Sequence, residues 1–209
     1  MRNLVTRITT TAVLAAGLLV SGFTASASTI SLIPSSTSVA DNATFYVDVV
    51  AANLPLGTSG GGLDLSWTGN MTLNSVLLAT TDAGDNLGQY PGNWDPISSG
   101  FSGKGTIGSS TLTGLFVGSL FGVDGNQPIA RLNFTMGTGV TNAAISVGAA
   151  AVGGTWSAWD GVNPAYNFTN TYVGTTINPA AVVPVPAPIW LFGSGLVSLA
   201  GVVLRRRRG

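Results

Sequence analysis

The chain contains no cysteine, no histidine and no glutamate. Without cysteine there is no disulfide, no thiolate nucleophile and no thiolate metal centre, so stability in an oxidising space has to come from packing alone. Without histidine the usual general base near neutral pH is missing, and with it the commonest metal ligand. Charge is scarce as well: charged residues are 8% of the 209 positions, against about 25% in an ordinary globular domain. The little charge there is lies segregated. Arg2 and Arg7 sit at the N-terminus and Arg205 to Arg208 at the C-terminus, while residues 28 to 183 hold Lys104 and Arg131 against all eight aspartates, a net −6. Such a body repels phosphates and offers no basic patch, which excludes nucleic acid as a partner.

What is present at the two ends reads as addressing. Residues 1–27 carry Arg2 and Arg7, an apolar stretch Ala12 to Val20, then the small-residue sequence Ala25-Ser26-Ala27. Nine apolar residues are too short to span a bilayer, and the Ala-x-Ala pattern sets a signal-peptide cleavage between Ala27 and Ser28. Export would run through the Sec machinery. At the other end Ile189 to Leu204 is an apolar run of 16 residues, about 24 Å as a helix against a hydrocarbon thickness of roughly 30 Å. Pro184, Pro186 and Pro188 stop that helix from extending backwards, and the four arginines behind it resist translocation. A short transmembrane helix over 189–204 is expected, with its basic tail 205–208 on the inner side and the body outside.

The order Pro184-Val185-Pro186, then Trp190, Gly193, Ser194 and Gly195, then the apolar run and Arg205, Arg206, Arg207 and Arg208 resembles the PEP-CTERM sorting signal of Gram-negative, polysaccharide-producing bacteria. Here Val185 stands where that signal has its glutamate. The resemblance implies that residues 181–209 are a sorting signal recognised by an exosortase in the inner membrane, which cuts near the Pro-x-Pro element and releases the body to the cell surface or extracellular matrix.

Between the addresses, period-2 alternation predicts strands. "TFYVDVV" puts Phe45, Val47 and Val49 on one face, and "LDLSW" puts Leu63, Leu65 and Trp67 on one face with Asp64 and Ser66 opposite. Further segments lie at Thr29 to Ile33, Leu73 to Leu78, Ser110 to Phe121, Ile129 to Thr135, Ala144 to Val152 and Thr171 to Ile177, with no comparable helical periodicity. About eight strands predict an all-β, immunoglobulin-like antiparallel sandwich over residues 28–180. The order of these segments, with a glycine run introducing the third strand, is similar to a cohesin-type domain. That resemblance implies the fold and, since cohesins bind dockerin modules, a binding role; it carries over no contact residue.

Catalysis finds little to work with. Asp82-Ala83-Gly84 is a faint aspartic-protease-like loop without its second copy, and a glycosidase would need two of Asp82, Asp85, Asp95, Asp124 and Asp160 brought face to face. Asp124-Gly125-Asn126 and Asp160-Gly161 read as turns. No cofactor is expected; Ca²⁺ is the one candidate ion, on acidic loops that lack the Asp-x-Asp-x-Asp-Gly ladder. Tyr90, Trp94, Trp156 and Trp159 fall in predicted loops among Gly, Asn and Asp, where exposed rings could stack on sugars. The expectation is a secreted, non-enzymatic surface or matrix protein contacting extracellular polysaccharide or other exported proteins. The alternatives are a carbohydrate-binding module with a defined site at Trp94 or Trp156, and, further off, a secreted hydrolase.

Overall fold

A computed structural model describes residues 27–83, 92–159, 161 and 165–180. The strands within them are β1 (Ser28–Pro34), β2 (Ser38–Val39), β3 (Thr44–Thr68), β4 (Met71–Leu78), β5 (Thr106–Ile107), β6 (Thr111–Met136), β7 (Ala143–Ala149), β8 (Trp156–Ala158), β9 (Tyr166–Phe168), β10 (Asn170–Val173) and β11 (Thr175–Pro179). A 3-10 turn covers Ile97–Ser99.

The organising element is the ladder between β3 and β6. It pairs Thr44 with Thr135 at one end and Ser66 with Thr111 at the other. A straight strand of 25 residues would reach about 80 Å, far beyond the width of a small domain. The pair therefore folds over on itself, and its register breaks show where: they cluster between Val49 and Gly60. Bulges sharpen a strand's bend and twist, and the fold-over is tight enough to need glycine on both strands. Gly57 and Gly122 both have positive φ, and a Cβ on Gly122 would lie 2.6 Å from the Gly57 Cα.

The bend divides the strands into two facing layers. In one, β10, β1, residues 44–52 of β3, residues 128–136 of β6 and β4 lie side by side. In the other the order is β5, residues 111–118 of β6, residues 60–68 of β3, β7, β11 and β2, with the β8–β9 hairpin beside Thr58 and Gly60. Rings meet across the gap, where Trp67 of the second layer sits edge-on to Phe134 of the first, centroids 5.3 Å apart, and within the first layer Phe45 stacks on Phe134 at 5.6 Å. Val47, Val49, Leu132, Leu63, Leu65, Leu115, Ile145 and Ile177 complete the core, each full burial stabilising by about 1.5–3 kcal/mol. The alternation read from "TFYVDVV" and "LDLSW" is what delivers these side chains inward.

Two features differ from the expectation. The sandwich is not purely antiparallel, because β10 runs parallel to β1 and β11 parallel to β2. Segments read as separate strands, Ser110 to Phe121 and Ile129 to Thr135, belong to one ladder that continues through the Asp124-Gly125-Asn126 turn chemistry.

Strand directions define two poles. β1 starts at Ser28 beside the bend, and β3 reaches the bend as it pairs antiparallel to β1, Thr29 with Ala52 and Pro34 with Val47. The bend pole, hereafter the tip, is thus where β1 begins. β10 and β11 carry the chain the other way, so Asn178 and Ala180 bond to Thr37 and Val39 at the opposite pole, the base.

Candidate functional site

The expected sugar platforms are not where loops would put them. Trp94 is fully buried and Trp156 is 1% exposed. They pack edge-on, 6.2 Å apart, and Trp94 Nε1 donates to the Pro128 carbonyl at 2.8 Å. Trp94, expected as an exposed ring, is instead a core residue: its segment bridges Thr80 and donates backbone bonds into the sheet, which pulls the indole inside. Trp156 opens β8, and Gly61 makes room for it, since a Cβ there would come within 2.5 Å of the indole. Trp159 is 54% exposed, as expected. Tyr90 lies outside the described residues, as do Asp85, Asp160, Ala25 and every residue of the 181–209 segment. Ala27 is exposed; Ser28, next to it, is buried and opens β1.

Four of the described aspartates are tied into the scaffold. Asp48 makes a bidentate pair with Arg131 at 2.7 and 2.9 Å, and the guanidinium lies 3.8 Å over the Tyr46 ring. Asp64 accepts from the Gly114 and Ala151 backbone N–H groups, joining β3, β6 and the turn after β7. Asp95 accepts from Leu120 N–H at 2.7 Å, and Asp41 from Gly139 N–H. Among the described residues no three acidic side chains gather as a cation cluster.

The tip carries what sequence reading passed over. Leu56 is 64% exposed, Leu120 62% and Phe121 91%, and with Trp159 they crown the fold-over of β3 and β6. Leu56, Phe121 and Trp159 line one groove of about 320 Å³ with Gly57, Gly122 and Asp124. The groove is built by backbone: Trp159 N–H donates to the Gly57 carbonyl at 2.8 Å, and the Asp95 bond to Leu120 pins the rising strand. Large apolar side chains displayed together, rather than scattered singly, mark interaction sites. The signal was present in "LPLG" and "LFG", where bulky apolar residues sit between turn formers at positions a sandwich exposes.

A second concavity, of about 490 Å³, lies between the turn after β7 and the β9–β10 edge, with Trp156, Phe168, Asn170 and Tyr172 in its wall.

No protein-family profile and no curated protein matches the chain. Solved structures do. The chain is similar to the non-cellulosomal cohesin from the hyperthermophilic archaeon Archaeoglobus fulgidus, with 12% identity over 73% of this chain and 92% of that one at a TM-score of 0.50. It is similar also to the seventh ScaB type I cohesin from Pseudobacteroides cellulosolvens, with 11% identity over 75% of this chain and 96% of that one at a TM-score of 0.55. At these identities the likeness establishes the fold, which is all-β and cohesin-like.

Proposed function

We propose that the protein is an exported, non-enzymatic docking module, delivered to the cell surface or matrix by its C-terminal sorting signal, whose tip binds another exported protein through a complementary apolar surface. The observation that carries this reading is the grouping of Leu56, Leu120, Phe121 and Trp159 at the pole away from the C-terminal exit. A module tethered through residues 181–209 holds that tip outermost, and one released by exosortase cleavage near Pro184 leaves it uncovered. The fold is compatible with both processing events. β1 begins at Ser28, directly after the Ala-x-Ala element, and β11 ends at Pro179, before Pro184. Of the aspartates a hydrolase would draw on, Asp95 is committed to the Leu120 N–H, and among the described residues no three acidic side chains gather, which favours binding over catalysis. The cohesin-like fold supports the same choice, on the resemblance stated above.

The test compares exosortase-positive and exosortase-negative cells expressing the wild-type chain and a Phe121→Asp, Trp159→Asp variant. In positive cells the mature wild type should start at Ser28, lack residues beyond about Ile189, and partition with the surface and matrix. The variant should be processed identically and escape into the medium. Equal partitioning of the two would end the docking reading; an intact arginine tail on exported protein would end the sorting one.

A further inference from the structure

Three indole N–H groups lie in the described core, and two have carbonyl acceptors: Trp67 donates to Met71 and Trp94 to Pro128. The third, Trp156 Nε1, is buried and donates to nothing. Asn170 Nδ2 is a second buried donor with no acceptor in hydrogen-bond geometry, although the side chain lies beside the Tyr172 phenol and its Oδ1 takes a 2.5 Å bond from the Ser28 hydroxyl. Buried polar groups left unpaired number only a few per hundred residues in native proteins, and each calls for an explanation. Here both belong to residues lining the same cavity of about 490 Å³, between the turn after β7 and the β9–β10 edge.

The rest of the wall narrows what would satisfy them. It holds no carboxylate, ammonium or guanidinium, so a charged ligand would lose hydration without compensation. Thr155, Asn167, Thr169 and Tyr172 supply groups that donate and accept, the pairing that hydroxyls need. Burial holds the Tyr172 phenol above its ordinary value, partly offset by the Asn170 side chain beside it, so it remains neutral across physiological pH. Phe168, half-buried with its ring 6.3 Å from that of the buried Trp156, offers an apolar surface. The volume falls in the range of small-ligand sites.

We infer that this cavity binds one uncharged sugar residue, whose oxygens accept from Trp156 Nε1 and Asn170 Nδ2 while its C–H face rests on the Phe168 ring. Both donors are shielded from solvent, so binding requires side chains at the rim, where Asn167 and Thr169 are exposed, to turn aside. The site is separate from the tip groove, and sugar binding here does not depend on the docking reading.

The experiment uses the isotope-labelled full-length chain in a zwitterionic detergent that contains no sugar. The Trp156 indole resonance is assigned by its loss in Trp156→Phe, and methyl glycosides of glucose, galactose, mannose and N-acetylglucosamine are titrated in. At least one should move that resonance saturably while the Trp94 indole stays in place. Trp156→Phe should then weaken the same sugar about fivefold to tenfold by calorimetry, the worth of one hydrogen bond, with a melting temperature unchanged or higher. Tyr172→Phe, a gentler change at the rim, should also weaken binding. Phe121→Asp should leave it intact. No response to any of the four glycosides, a response only to a peptide-like amide such as N-acetylglycinamide, or equal affinity in Trp156→Phe would each overturn the assignment.

Discussion

The two poles are built from the same pair of strands and do opposite things with them. At the base, residues 44–49 of β3 run in register with β6, and loop backbone is knitted across: Asn42 N–H donates to Met136, Met136 N–H to Ala43, and Gly137 N–H to Asn70. Phe45, Trp67, Met71, Phe134 and Met136 are all buried there. At the tip the register breaks repeatedly, glycines let the strands cross over, and Leu56, Leu120 and Phe121 face outward. Apolar side chains at the base hold the layers together; those at the tip stabilise little and remain available. The difference shows that hydrophobicity in this chain has two uses, and that position on the ribbon, not residue type, separates them.

The contrast is broken most directly by truncating one phenylalanine at each pole. Phe134→Ala removes the ring that Phe45 and Trp67 both pack on, and should cost about 3–5 kcal/mol of unfolding free energy in urea titration. Phe121→Ala should stay within about 0.5 kcal/mol, as for other surface changes, while reducing matrix retention. Comparable losses at both sites would mean that the tip ring is structural and the division of labour false.

How far this division could be read beforehand depended on distance in sequence. Alternation over five to seven residues was enough to place Val47, Val49, Leu63, Leu65 and Trp67 inside, because burial of a strand face is a local pattern. The fate of the tryptophans was not local. Trp94 and Trp159 both sit among small polar residues, yet one is swallowed by a backbone bridge to Thr80 and the other rides on Gly57 at the surface. Trp156 needed Gly61, almost a hundred residues earlier, to make room. The fold-over of β3 and β6 was equally hidden, since turn chemistry at Asp124-Gly125-Asn126 looks the same whether a ladder ends there or bends through it.

An intermediate effect is expected at Asp64, which sits between the poles and joins three elements through Gly114 and Ala151 N–H groups. Asp64→Ala leaves both donors without that carboxylate and should destabilise by about 1–2 kcal/mol. Asp64→Asn, which keeps one acceptor oxygen, should recover roughly half. If the two variants melt together, the carboxylate is only a solvated surface charge and the layers are held by packing alone.

The smallest effect belongs to Tyr172, in β10 opposite Ile30. Burial raises its hydroxyl above the ordinary value near 10, with the Asn170 side chain pulling partly the other way. The fold therefore favours the neutral phenol. Its contribution is fully present below the unfolded-state value, and it is lost as the pH climbs from about 10 through the higher folded-state value. Unfolding free energy measured between pH 9 and 12 should thus fall with a limb that Tyr172→Phe makes shallower, while stability at pH 7 changes little. A saturating concentration of the sugar identified by the titration should shift that limb upward, because a ligand over the phenol shields it further. An identical alkaline limb in the variant would place the Tyr172 hydroxyl in water, and would remove one of the polar groups from the cavity wall on which the sugar assignment draws.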